Sequence, residues 1–183
     1  MLVTMTALHL ATDRLVIRPW RLEEAERLLD ILGRMEVMKW LGDGEVRLMQ
    51  DVAEARDRIQ RYAERSAVAP LGVWAVEVAA TGQVAGTVLL LTLPHADAGE
   101  VEIGWHLHPD SWGHGYATEA AEAVLRHGFA HGLPEIHAVT HLGNAPSQNV
   151  CRKLGMRHQG VVHRWYDGPS EHYVITRDEH AVR

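Results

Sequence analysis

The stretch from Glu100 to Arg126 changes its hydrophobic period halfway, and that change constrains the fold more than any other feature. Val101, Ile103, Trp105 and Leu107 alternate with Glu100, Glu102, His106 and His108, the period of a half-buried strand. Pro109 stops it. Apolar residues then recur at Ala117, Ala120, Ala121, Val124 and Leu125, the spacing of an amphipathic helix. Ser111 to Tyr116 is therefore a loop leading from a strand into a helix, and it contains Gly113 and Gly115. Glycines leave the backbone approachable, and the first N–H groups of a helix have no internal partner, so this loop predicts an anion site. It is neither a dinucleotide loop nor a P-loop. Gly113-His-Gly115-Tyr-Ala-Thr118 lacks the third glycine of the first and the lysine of the second.

At 183 residues the chain fits one domain with one core. No apolar run approaches the roughly 20 residues of a membrane span, and the first residues show no basic segment followed by an apolar one, so a cytoplasmic protein is expected. The net charge of −6 argues against general nucleic-acid binding and suits a cationic acceptor such as an amine. A lone cysteine, Cys151, excludes an intramolecular disulfide and a multi-cysteine zinc site.

Ahead of Pro19, Leu15 and Ile17 alternate with Arg14 and Arg18 in a first strand. Helical stripes follow at Leu22, Ala25, Leu28, Leu29 and Leu32, closed by Gly33, and at Leu48, Val52, Ala55, Ile59 and Tyr62. Between them, Met35 to Glu45 holds Met38, Trp40 and Leu41, which either pack the helix pair or wall a pocket. Leu71 to Val78 and Val84 to Leu93 form two strands joined at Ala80-Thr-Gly82. Ile136, Ala138 and Thr140 mark a fifth strand, a helix runs from Asn144-Ala-Pro-Ser147 to Gly155, and Gly160 to Tyr166 with Glu171 to Arg177 make a terminal hairpin. The order β-α-α-β-β-β-α-β-α-β-β predicts an α+β fold with helices covering a central mixed sheet.

Glu102-Ile-Gly-Trp followed by Pro109-Asp-Ser-Trp-Gly-His-Gly-Tyr-Ala-Thr-Glu-Ala120 resembles the acyl-CoA pyrophosphate motif of the GNAT acetyltransferases. The superfamily pattern Gln/Arg-x-x-Gly-x-Gly/Ala reads Trp112-Gly-His-Gly115-Tyr-Ala117 here, and Trp at its first position is similar to the branch that includes the ribosomal-protein N-terminal acetyltransferases (RimJ/RimL-like). Thr12 to Pro19 resembles that branch's opening strand. Asn144-Ala-Pro-Ser147 with Lys153-Leu-Gly-Met156 resembles its closing signature, with Met where Phe is usual. The likeness implies a GNAT fold whose mostly antiparallel sheet splays between the fourth and fifth strands to admit a pantetheine arm, flanked by helices on both faces. It also implies acetyl transfer from acetyl-CoA to a primary amine in a ternary complex, the amine being a protein N-terminus or a small molecule. No metal is implied, and monomer and homodimer both remain open. An antibiotic or succinyl-CoA-type acyltransferase and a non-catalytic acyl-CoA sensor are the rival readings.

Backbone N–H groups of Gly113, His114, Gly115, Tyr116, Ala117 and Thr118 are expected to hold the pyrophosphate, with Trp112 shaping the loop. The resemblance assigns the thioester carbonyl to a backbone N–H near His106 and Leu107, and the pantetheine amide to Asn144. For the base, Glu102 comes first and Glu100 second, because both leave the central strand on the acceptor side; His106 is third. Ser147 by resemblance lies near the sulfur, where it either stabilises the leaving thiolate or only caps a helix. Cys151 stands where many relatives carry a Tyr acid, yet a lone helical Cys is commonly core. His127 with His131, and His106 with His108, have zinc-compatible spacing but no evident third ligand.

Overall fold

The computed structural model describes residues 8–42 and 44–182. Its strands are β1 (Leu10–Ala11), β2 (Leu15–Arg18), β3 (Gly72–Val78), β4 (Val84–Thr92), β5 (Val101–Leu107), β6 (Glu135–His141), β7 (Arg157–Val162) and β8 (Ser170–Thr176). They form one sheet in the order β1-β2-β3-β4-β5-β6-β8-β7. Every neighbouring pair is antiparallel except β5 with β6, which are parallel and in register at one position, Glu102 opposite His137. Past that pair the two strands part. This is the expected splay, moved from the fourth and fifth strands to the fifth and sixth because β1, only two residues long, adds a strand that periodicity could not show.

Among the described residues six α-helices flank the sheet: α1 (Ala25–Leu32), α2 (Met35–Met38), α3 (Val52–Arg65), α4 (Tyr116–Ala130), α5 (Ala145–Lys153) and α6 (Arg177–Ala181). Leu28 and Ile31 of α1 with Ala55 and Ile59 of α3 cluster with Val73, Ala75 and Val84 on one face. On the other, Ala121, Val124 and Leu125 of α4 cluster with Trp74, Val76, Val88, Leu90 and Ile103. With both faces covered, the polar side of β5 is not a solvated one.

Three sequence-based expectations shift. The second helix starts at Val52 rather than Leu48, because the Asp51 carboxylate accepts the Glu54 N–H at 2.8 Å and caps it there. Arg18, which alternates with Leu15 and Ile17, is nevertheless 3% exposed and pinned between Glu24 and Glu77, which replace the water it loses. The hairpin's first arm is Arg157–Val162, not Gly160 to Tyr166: Gly160, at φ +92°, sits in a register shift that hides the alternation. Arg164, Trp165 and Tyr166 therefore lie in the loop between the arms.

Gly86 fixes how closely β4 meets the end of β5. A Cβ there would lie 2.2 Å from the His106 carbonyl oxygen and 2.6 Å from Leu107 Cα, both backbone atoms that cannot swing away. Gly86→Ala should therefore cost about 2 kcal/mol as overpacking. Thermal unfolding should show a Tm lowered by on the order of 5 °C; an unchanged Tm would show that β5 has room to move.

Candidate active site

The loop into α4 is built as an open cradle. Gly113 and Gly115 both have positive φ, +79° and +81°, which favours glycine, and Gly115 is the N-cap of α4 with no side chain filling the cap. A Cβ at Gly113 would meet nothing within 4 Å, so the space at that glycine is clear, while one at Gly115 would lie 3.6 Å from Arg14 Nη2. The loop is held from behind. Arg14 donates to the His114 carbonyl at 3.0 Å and to Glu119 at 2.7 Å, and the Thr12 hydroxyl donates to Glu119 at 2.6 Å. The His114 ring stacks on Tyr116 at 5.2 Å, and the Arg14 guanidinium lies 5.1 Å above the Tyr116 ring. Trp112 is half exposed, and its indole N–H donates to the Leu107 carbonyl at 2.9 Å, tying loop to strand.

From this loop a cleft of about 1030 Å³ runs into the opening between β5 and β6. Glu102, His106, Leu107, Trp112, Gly113, Gly115, Tyr116, Ala117, Thr118, Asn144 and Ser147 all line it. His108 donates its N–H to Ala85 on the β4 side at 2.8 Å, and N–H direction alternates along a strand, so the Leu107 N–H turns toward the opening.

Glu102 sits where the strands begin to part. Its carboxylate accepts a hydrogen bond from the Tyr166 hydroxyl at 2.6 Å. Burial pushes its pKa up to about 7, against the opposing pull of that hydrogen bond. Glu100, two residues earlier on the same side, does not line the cleft. It accepts the Ala98 N–H at 3.0 Å and pairs with Arg164, and these hold its carboxyl below the usual range. His106 is buried, and desolvation helped by the Arg58 charge brings its pKa down to about 4, so its ring is neutral near pH 7.

Asn144 caps α5, its side-chain oxygen accepting the Ser147 N–H at 3.3 Å. The cap is thus Asn144, and Ser147 is the residue three positions on. Cys151 does not reach the cleft: it is fully buried in the α4-side core, and desolvation pushes its thiol up to about 12. Its packing role explains it without chemistry.

The segment after α1 does both things its composition suggested. Val37 is buried against the α1–α3 layer, while Lys39 and Trp40 line the cleft, with Lys39 Nζ 4.8 Å from the Trp40 ring. His141 Nε2 lies 3.0 Å from the Gly42 carbonyl oxygen, joining this segment to the end of β6 across the cleft mouth. Of the paired histidines His106 lines the cleft and the others lie elsewhere: His131 Nδ1 contacts the His127 carbonyl at 2.8 Å, and the buried His108 ring contacts Asp110 and Asp30. Among the described residues no three His, Cys, Asp or Glu side chains converge as a metal site, and no helix is long and apolar enough to cross a membrane.

Sequence reasoning missed Tyr166, the Arg14–Glu119 clamp and the arginines of α3. Tyr166 is 64 positions from Glu102 and Arg14 is 105 from Glu119, and neither carries a local signature.

Comparison with known proteins decides the family. A family profile described as "Acetyltransferase (GNAT) domain" matches residues 14–157. The chain belongs to the GNAT acetyltransferase family. Among curated relatives, it is 30% identical to the "Uncharacterized N-acetyltransferase p20" of Bacillus licheniformis over 154 residues, 84% of each chain. Among solved structures, a GNAT-family acetyltransferase from Bacillus anthracis superposes with a TM-score of 0.78 at 24% identity, covering 94% of this chain and all of that one. Mycobacterium smegmatis RimJ, solved with CoA-disulfide, gives 0.75 at 20% identity, covering 90% and 83%. These structural likenesses establish the GNAT fold. The match from Arg14 to Arg157 spans the loop, the splayed strands and α5, and acetyl transfer is the chemistry of this family.

The raised Glu102 pKa has a sign in stability. The native carboxyl keeps its proton between about pH 4.5 and 7 where the unfolded one has lost it, so folding weakens as pH rises through that window. Glu102→Gln should remove this loss. Chemical denaturation should find the variant more stable than the native protein at pH 8 by on the order of 2 kcal/mol, with little difference at pH 4; equal stability at both pH values would mean that Glu102 is solvated.

Proposed function

We propose that this GNAT enzyme moves an acetyl group from acetyl-CoA to a primary amine, a protein N-terminus or a small molecule, by direct attack in a ternary complex. The observation that carries the reading is the position of Glu102: a carboxylate with a pKa of about 7 on the same cleft as an unfilled glycine cradle. The amides from Gly113 to Ala117 would receive the pyrophosphate, with Thr118 and Trp112 at the loop's margins. Arg14 keeps the cradle in shape without entering it. The Asn144 NH2 group, opposite the oxygen spent on the cap, would donate to a pantetheine carbonyl. The Leu107 N–H, turned to the opening, would polarise the thioester carbonyl as a one-donor oxyanion site.

In the chemical step the neutral amine nitrogen forms a bond to the thioester carbon, the C–S bond breaks, and the proton shed by the new amide nitrogen passes to the departing sulfur, so coenzyme A leaves as the free thiol. Glu102 removes the ammonium proton, directly or through water; at pKa about 7 it is half ionised at neutral pH and matched to that task. Glu100, already paired with Arg164, has no comparable role. Ser147 would hydrogen-bond the leaving sulfur, a task the buried Cys151 cannot reach. The RimJ-like branch is supported by the Trp112-Gly-His-Gly loop together with the fold shared with RimJ.

Release of free thiol from acetyl-CoA in the presence of amines and short peptides tests the reading. kcat/KM should rise with pH through an ionisation near 7. Tyr166→Phe removes the one hydrogen bond that favours the Glu102 carboxylate, so this limb should move up by about one pH unit. Absence of thiol release with every amine would reject the activity, and a limb unmoved in the Phe variant would reject Glu102 as base.

A further inference from the structure

Resting on the acetyl-transfer reading, this inference concerns the acceptor. The side chains of β5 that face α1–α3 are Glu102 and His106, and at Gly104 between them the Leu89 side chain of β4 packs against the strand. Opposite stands α3, whose Arg58, Tyr62 and Arg65 fall at helical spacing on one face and line the same cleft. With Arg61, these three also enclose a side pocket of about 240 Å³ that adjoins the cleft.

Several arginines elsewhere in the molecule are neutralised by carboxylates. Arg14, Arg18, Arg27, Arg34, Arg47, Arg157 and Arg164 each have a carboxylate partner. Among the described residues no carboxylate lies within ion-pairing distance of Arg58, Arg61 or Arg65. The Arg58 guanidinium contacts the Tyr62 hydroxyl, but its Nε–H is buried without an acceptor. His106 Nε2 is likewise buried and unpartnered. An orphaned guanidinium N–H beside uncompensated positive charge is costly in an empty wall, and an anion would supply the acceptor it lacks. The other acidic side chain on the cleft, Glu36, lies 3.8 Å from Arg34.

We propose that the acceptor amine carries an anionic oxygen group, a carboxylate or a phosphate, which Arg58 and Arg65 bind in the pocket beside Tyr62 and His106. Such an acceptor is bipolar. Its amine faces Glu102 and its anion faces α3, and the four-residue step from Glu102 to His106, about 13 Å along the strand, keeps that anion off the carboxylate. The planar guanidinium suits either oxygen group through paired N–H donors, so charge and not a single anion is the shared requirement.

The test uses matched primary amines that differ only at one end, which is a carboxylate, a phosphate monoester or a neutral carboxamide. Each is measured by thiol release and, separately, by calorimetric binding to CoA-saturated protein. At least one anionic end should surpass the carboxamide tenfold or more in both kcat/KM and affinity, and the better of the two anions identifies the ligand. Arg58→Gln and Arg65→Gln should each shrink that ratio several-fold, mainly through KM, with Tyr166→Phe as a control that shifts the pH profile and leaves the ratio in place. Arg65 is exposed, so its variant tests the proposal even if Arg58→Gln folds poorly. Carboxamides that match the anionic amines, or a preference that survives in both glutamine variants, would overturn the proposal. If no amine releases thiol, the transfer reading falls, and the calorimetric preference alone decides the anion site.

Discussion

Two parallel strands that pair at one residue and then separate set the terms for everything else in this molecule. β5 and β6 meet at Glu102 and His137, and beyond that point backbone groups that would have closed a ladder face a cleft. Parallel strands need long crossovers, and the crossover here is the cradle loop and α4, so the sheet's opening and the anion loop are consecutive in the chain. The same topology leaves Glu102 at the apex, between helices on both faces. A carboxylate there is desolvated by architecture, and the Tyr166 hydroxyl is what keeps it within range of ionisation at neutral pH.

Arginines that pack against the sheet outside the cleft are closely compensated. Away from it, Arg18 is enclosed by Glu24 and Glu77, and Arg27 makes paired bonds to Asp110 at 2.9 and 3.0 Å while capping a β4 carbonyl. The Arg14–Glu119 pair is a hinge between the two regimes: Glu119 lies in the first turn of α4, yet it is spent on Arg14 and Thr12 rather than on the helix amides, which stay open. Within the cleft, by contrast, a carboxylate is dry, a histidine is neutral and an arginine lacks its acceptor. Groups held in states that weaken the fold are what the proposed binding and proton transfer would require of this surface.

How much of this was legible in the sequence depends on the distance over which each feature is decided. The strand, loop and helix from Val101 to Ala130 were readable because period and glycine spacing are local, and the order of the longer elements followed from the same signals, while the short β1, α2 and α6 left no period to read. Glu100 and Glu102 were not separable by such means, since they share residue type and strand face. What distinguishes them is Arg164 against Tyr166, both 64 positions downstream in a loop that alternation mistook for a strand. Arg18 is the opposite case: its alternation with Leu15 and Ile17 gives no sign of burial until Glu77 on β3 is brought beside it. The α3 arginines lie off the apolar stripe of Val52, Ala55, Ile59 and Tyr62, where periodicity carries no signal, and only the folded sheet puts His106 opposite them.

The account's central claim is that the parting of β5 and β6 holds the Glu102 carboxyl in a dry apex where it titrates near neutrality. Carbon-13 NMR of glutamate-labelled protein, with the Glu102 resonance assigned by its loss in a Gln variant, reads that ionisation directly. The claim predicts a midpoint near 7 for Glu102. A midpoint at the ordinary carboxylate value of about 4.5 would contradict it, and with it the assignment of Glu102 as the base.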